Sequence, residues 1–222
     1  MKLLIVGGTG RTGRKVAERA VALGHEPVVL GRSATPLTLP SGAVALAGDA
    51  LEPGVLLEAT EGVDAVITAL SIPRRSRSPF APLTGPPDLH HRSTAALLQA
   101  MAAQGVERLI KVSAQGVGDS APRAGLLFRS LVAVSNLRPA FEDHARADAL
   151  VVDAPLDWTI VRPPVLTDGP PTEHGLEAAE QLRTFTTTRV RTADLAAWIV
   201  DALADPTWYR RTVSVRPARA AV

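Results

Sequence analysis

A short apolar run, KLLIV at 2–6, leads straight into GGTGRTG at 7–13, and an amphipathic stretch follows at once. A run without polar alternation suits a strand buried on both faces. Glycine at 7 permits a tight turn out of that strand. Glycine at 10 lets backbone N–H groups approach a pyrophosphate. Glycine at 13 lets the next helix pack close to the sheet, its positive end toward the phosphates. Alone, such glycines are a weak signal. Placed between a strand and a helix, at the start of a βαβ unit, they have the context that a dinucleotide site requires.

The alternation continues along the chain. Apolar runs predict further strands over 26–31, 43–48, 64–70, 108–113, 157–163 and 211–215. Helical spacing predicts helices over 11–25, 53–62, 88–105, 124–134, 139–154 and 190–203. Gly24 reads as a C-cap, Asp88 and Thr192 as N-caps, and Pro139 belongs in a first turn. Residues 72–87 hold five prolines and three arginines and read as a loop. Strands alternating with helices through short links imply parallel pairing and right-handed crossovers. The expected architecture is α/β: a doubly wound, mostly parallel sheet, the Rossmann fold, in one domain over 1–222. Segments 114–137 and 163–187 are expected to form a small lid on the substrate side.

At 46% hydrophobic residues the chain can build a core, yet no apolar run is long enough to span a membrane. The strand-like opening argues against a secretory leader. The absence of cysteine excludes disulfides, thiolate zinc sites and cysteine nucleophiles, and fits a reducing, cytoplasmic setting. The net charge of +2 is mild, and RRSR at 74–77 lacks interleaved aromatics, so it reads as a solvated loop rather than a nucleic-acid surface. Partners are expected to be a small-molecule substrate, with no nucleic acid and no membrane, for a monomer or weak homodimer.

In a doubly wound sheet, ligands bind beyond the carboxyl ends of the strands. The cofactor-binding candidates are therefore Gly7, Thr9, Gly10, Arg11, Thr12 and Gly13 in the first loop, Arg32 and Ser33 after strand two, Asp49 and Ala50 after strand three, Ala69, Leu70 and Ser71 after strand four, and Pro163 after strand six. An acidic residue after strand two would accept from a free ribose 2′-hydroxyl. Arg32 stands there instead, able to fork onto a 2′-phosphate, with Ser33 adding a hydrogen bond, so the expected cofactor is NADP(H). Asp49 either accepts from the adenine amino group or caps the next helix, or does both. Ser113 either faces the nicotinamide or bonds local backbone. His144 is either a proton donor near neutral pH or a half-exposed helix residue. His90 and His91 point apart on a helix and do not share a metal, and no metal site is assigned. His174, Asp168 and Glu173 lie in the substrate-side segment.

These landmarks, with VVLGRS, GDA, DAVITALS, GVERLIKVSA, EDHARADALVVDAPLDWTIVRPP and VRTADLAAWIVDALADP, resemble the atypical short-chain dehydrogenase/reductase superfamily. The nearest branch is that of the NmrA-like and biliverdin reductase B (flavin reductase) proteins. Better-known members use a Tyr-x-x-x-Lys pair. Setting FEDHARAD on that pattern puts Glu142 in place of tyrosine and Arg146 in place of lysine, and the chain's one tyrosine is Tyr209. The flavin reductase branch lacks the pair and carries His and Arg in this helix, as His144 and Arg146 stand here. Its second hydroxyl after strand five is replaced by Ala114, and its histidine after strand six by Val165. The resemblance implies Ser113, His144 and Arg146 as catalytic candidates. It implies an NADPH-dependent oxidoreductase transferring hydride to a flavin, quinone or other conjugated molecule, with solvent able to supply the proton. The alternatives are a non-catalytic NADP(H)-binding redox sensor and a redox-neutral biosynthetic enzyme on the same fold.

Overall fold

The computed structural model describes residues 1–76, 78–182 and 187–218. Its strands are β1 (Lys2–Val6), β2 (Glu26–Gly31), β3 (Val44–Ala47), β4 (Ala65–Thr68), β5 (Arg108–Val112), β6 (Asp157–Arg162), β7 (Val165–Thr167), β8 (Leu176–Ala179), β9 (Arg189–Arg191) and β10 (Arg211–Pro217). Its α-helices are α1 (Arg11–Ala22), α2 (Pro53–Ala59), α3 (Leu89–Gln104), α4 (Leu126–Val134), α5 (Arg138–Asp153) and α6 (Thr192–Asp201). One sheet has the order β3-β2-β1-β4-β5-β6-β10-β8, and β7 pairs with β9 in a second, two-stranded one. All pairs in the main sheet are parallel except β10 with β8. This is a single-domain Rossmann-like sheet with helices on both faces.

The central strands are apolar because both faces are covered. On one face Leu3, Ile5, Ile67 and Ile110 meet Val16 and Ala20 of α1 and Leu195 and Ile199 of α6. On the other, Leu4, Val66 and Leu109 meet Leu56 of α2, Leu97 and Met101 of α3 and Val151 of α5. The chain leaves β1 toward β2 and β3, then crosses back to β4 on the other side. The order therefore reverses between β1 and β4, where a crevice opens at the strand ends.

Glycines shape the loop at that crevice. Gly7 has φ of +80°, and a Cβ there would lie 3.0 Å from the backbone of Ala69 and Leu70. A Cβ on Gly13 would come within 2.5 Å of the Gly7 carbonyl and the Gly8 Cα, so only glycine lets α1 start this close to the sheet.

Three short strands depart from the sequence reading. β7, β8 and β9 are three or four residues long, flanked by Pro, Gly and Thr, and too short to show a period. Part of 163–187 is thus tied to the main sheet through β8; residues 183–186, and Arg77 of the RRSR cluster, lie outside the described residues. The caps differ too. Asp88 occupies the N-cap of α3 but its side chain caps nothing. Asp143 of α5 does so instead, accepting from the His90 N–H at 2.7 Å and the His91 N–H at 3.3 Å. Thr192 is the first residue of α6 rather than its cap, and its hydroxyl donates to the Thr167 carbonyl.

Candidate active site

The crevice is a cleft of about 780 Å³ at the carboxyl ends of the strands. It brings together Gly7, Thr9, Gly10, Arg11, Thr12, Arg32, Asp49, Ala50, Ala69, Leu70, Ser71, Ser113, His144 and Pro163 among the expected residues. Gly13, Ser33 and Arg146 are not in its wall. Gly13 is buried beneath the loop, and Ser33 is exposed on the surface.

At one end, α1 points its N-terminus into the cleft. Gly10 is the N-cap and has no side chain to cap the first turn; its carbonyl accepts from Arg14, so the N–H groups of Arg11, Thr12 and Gly13 precede the first helical bond. A Cβ on Gly10 would meet only the Gly7 carbonyl, at 3.2 Å. Side-chain space there opens to the cleft rather than to protein, as a cradle for an anion requires. Arg32 stands exposed at the end of β2. Asp49 accepts from the Leu51 N–H at 3.0 Å through Oδ1. This bond closes a local turn and does not cap α2, whose N-cap is Glu52, and among the described residues nothing bonds Oδ2. Arg11 is turned across the cleft, 3.4 Å from the Leu166 carbonyl and 3.8 Å from Asp168.

At the other end, a buried charge cluster backs the wall. Lys111 of β5 is 2% exposed, and its Nζ lies 2.7 Å from Asp148 Oδ1. The Ser113 hydroxyl donates to Asp148 Oδ2 at 2.9 Å, and the Arg162 guanidinium of β6 donates to the same oxygen at 3.1 Å. Arg162 also reaches Asp119 at 2.5 Å. His144 sits in the cleft wall above this group, with Nδ1 3.5 Å from Lys111 Nζ. Its ring stacks on His90 at 3.6 Å between centroids.

Two sequence expectations change here. Arg146 faces outward, its side chain 57% exposed, and binds the capping Asp143 at 3.2 Å. Glu142 likewise turns to solvent and pairs with Arg138 at 2.8 Å. The residues of α5 that face the strand ends are His144 and Asp148, one turn apart, two positions on from the expected register. His144 is also not a charged imidazolium near neutral pH. Burial first, then the His90 ring and the charges of Lys111 and Arg162, hold its pKa well below the usual histidine range. His90 is pushed down to about 3 by burial and by Lys111.

The sequence reading missed Lys111, Asp148 and Arg162, which lie inside segments read as strand or helix. The available signal was the charge itself: a lysine and an arginine near the carboxyl ends of fully buried strands need a carboxylate. Arg74, read as part of a solvated loop, also lines the cleft.

A family model described as NAD(P)H-binding matches residues 7–206. The chain belongs to this NAD(P)H-binding family. The matched region takes in the glycine loop, the charge cluster and every cleft residue, and NAD(P)(H) is the family's cofactor. Solved structures share the fold. ChuY, an anaerobillin reductase from Escherichia coli O157:H7, is 21% identical over 100% of both chains, with a TM-score of 0.79. A short-chain dehydrogenase/reductase from Veillonella parvula in complex with NADP is 17% identical, covering 97% of this chain and 94% of that one, with a TM-score of 0.78. Among curated proteins, the photosystem II assembly factor Ycf39 of Synechocystis sp. is 39% identical over 71 residues, or 31% of this chain and 22% of that protein's length. Among the described residues no helix is long and apolar enough to cross a membrane, and no cluster of three or more His, Asp or Glu could hold a metal ion.

Two outcomes follow from this geometry. Gly10→Val should abolish NADPH binding in a folded protein, because the added side chain enters the cleft and meets little protein. NADPH titration with circular dichroism checks this; wild-type affinity in a folded variant would place the nucleotide elsewhere. The histidines set a pH dependence. Both are held neutral when folded and titrate near 6.5 when unfolded, so below that pH the unfolded chain binds more protons. Stability should be full above about pH 7 and fall as pH drops, by up to about 1.4 kcal/mol per pH unit for each histidine. Urea unfolding between about pH 7.5 and 5 measures the slope, and a flat profile would show that both rings charge within the fold.

Proposed function

We propose that this protein is an NADPH-dependent reductase of a flavin, quinone or other conjugated small molecule. The observation that carries the reading is one continuous cleft joining two unlike ends. One has an uncapped helix terminus and Arg32. The other has Ser113 and His144 over a buried charge cluster, walled by Pro163, Pro164 and Leu166. The name of the relative ChuY, an anaerobillin reductase, supports a conjugated acceptor.

Each residue has a task in this reading. The N–H groups at the start of α1 hold the pyrophosphate, with Gly7, Thr9 and Thr12 shaping the approach. Arg32 forks onto the 2′-phosphate and selects NADP(H) over NAD(H), and Ser33 lies beside it. Asp49, through its unbonded oxygen, and Ala50 face the adenine. Ala69, Leu70 and Ser71 lie under the adenylate ribose. The Ser113 proton is committed to Asp148, so its lone pairs face the cleft and accept from an amide N–H. When bound, the dihydronicotinamide supplies a hydride to an acceptor stacked against it. The apolar rim of Pro163, Pro164 and Leu166 excludes water from the stack. Segment 114–137 and the described part of 163–187 serve as a substrate-side cover in this reading, and Ala114 and Leu166 line the cleft. The protein works as a monomer or weak homodimer in the cytoplasm. The alternative of a redox sensor draws on one observation: Leu126, Leu127 and Val134 of α4 are more than 70% exposed, as a partner-binding helix would be.

Arg32→Glu replaces a charge-assisted fork by repulsion. It should weaken NADPH about ten- to hundredfold and NADH far less, since a charged hydrogen bond contributes roughly 1.5–3 kcal/mol. Equal losses for both nucleotides would remove Arg32 as the selector. The function itself is tested by loss of NADPH absorbance with FMN and with 2-methyl-1,4-naphthoquinone. Absence of oxidation with every flavin and quinone would move the assignment to the sensor or to redox-neutral chemistry.

A further inference from the structure

We propose that Lys111 and His144 form a proton relay to the reduced acceptor, so that the site takes acceptors whose hydride-accepting carbon is conjugated to a carbonyl oxygen or ring nitrogen. The proposal rests on the reductase reading above and deepens it, replacing solvent as the source of the proton.

Lys111 Nζ and His144 Nδ1 lie 3.5 Å apart. An ammonium has donors only, so Nδ1 must be the acceptor, and a neutral ring then carries its proton on Nε2. No described residue accepts from Nε2, while His144 lines the cleft beside Ser113 and Pro163. The groups around the pair come from every packed element: Asp148 from α5, His90 from α3, Ser113 at the end of β5, and Arg162 from β6.

Burial and the two neighbouring cations keep His144 neutral, and a neutral imidazole is far too weak an acid to release Nε2–H by itself. It can do so only if Nδ1 gains a proton in the same event, and the one donor held against Nδ1 is Lys111. The balance is then complete. The acceptor takes two electrons and a proton as hydride from NADPH, and a second proton from His144. The Nε2–H bond breaks as an O–H or N–H bond forms on the acceptor, and a Lys111 N–H bond breaks as the Nδ1–H bond forms. Lys111 is left as a neutral amine while Arg162 remains paired with Asp148. After product leaves, a proton returns from the open cleft through the same ring. The contact is longer than an ordinary hydrogen bond, and such bonds commonly tighten only when ligands are in place. Asp148 positions both partners: it orients Lys111 from one oxygen and Ser113 from the other.

His144 touches the acceptor in this scheme, and Lys111 acts through it. Lys111→Met and His144→Phe should each lower kcat for 2-methyl-1,4-naphthoquinone about 10²–10³-fold, with the acceptor KM and the NADPH Kd within about threefold. The double variant should be no slower than the slower single one, because a relay acts as a unit. Lys111→Arg keeps the charge but cannot pass a proton, so it should be as slow as Lys111→Met. Recovery of turnover in the arginine variant, or multiplied losses in the double variant, would overturn the relay. A readout independent of turnover is the ¹⁵N spectrum of His144 in the wild-type protein. It should show the neutral Nε2–H tautomer between about pH 5.5 and 8. An Nδ1–H tautomer, or an imidazolium at neutral pH, would overturn the Lys111–His144 arrangement even if no variant folds. If the wild type oxidises no NADPH with any acceptor, the reductase reading fails and the relay's chemistry with it, while the tautomer still decides the contact.

Discussion

The Asp148 carboxylate is the point on which the end of the cleft at Ser113 and His144, the proposed acceptor end, depends. It is buried, and it holds a lysine from β5, an arginine from β6 and the hydroxyl that ends β5. Removing one partner of a buried pair costs about 3–5 kcal/mol, since it strands the other charge in a medium that cannot solvate it. One carboxylate therefore sets the spacing of two strands and a helix where the functional side chains emerge. Hydrophobic packing alone would hold β5, β6 and α5 together, but it would not hold Ser113 and His144 in one orientation.

A second carboxylate does similar work one turn earlier on the same helix. Asp143 is fully buried, caps α3 from across the helix pair and draws Arg146 back along the surface. Its hold on the backbone of His90 brings that ring onto His144. The stack and the cations below it then keep both imidazoles uncharged. Two buried cations against one buried carboxylate thus lie behind this end of the cleft, a setting that stabilises negative charge developing on a bound molecule. At its other end the cleft presents helix N–H groups and an exposed arginine, groups suited to a phosphate.

Every glycine of the first loop read as functional has a distinct physical reason. Gly7 needs its positive φ, Gly13 has backbone where a Cβ would go, and Gly10 leaves open space toward the cleft. Gly8 was not singled out, yet a Cβ there would come within 2.5 Å of Val29. The close meeting of β1, β2 and the loop after β4 rests on these absences of side chain.

The fold was legible because its signals are local. Buried parallel strands read as apolar runs, helices as a period, and the glycine loop as a fixed spacing, all within a few residues. The grouping of the residues proposed to hold the cofactor was legible for the same reason: each follows a strand directly and, Gly13 and Ser33 apart, they line one cleft. The acceptor end was not, because its parts come from distant stretches: Lys111, Asp148 and Arg162 meet only when β5, α5 and β6 pack. Helix α5 shows the limit most clearly. Its sequence offers Glu142 with Arg146 and His144 with Asp148 at the same four-residue spacing, and no local pattern says which pair faces the sheet. By itself the sequence determined a doubly wound fold and where a dinucleotide could lie, because backbone geometry and hydrophobic period are short-range properties. The tertiary structure alone decided which side of α5 turns inward, because that choice belongs to two buried cations that must share a carboxylate.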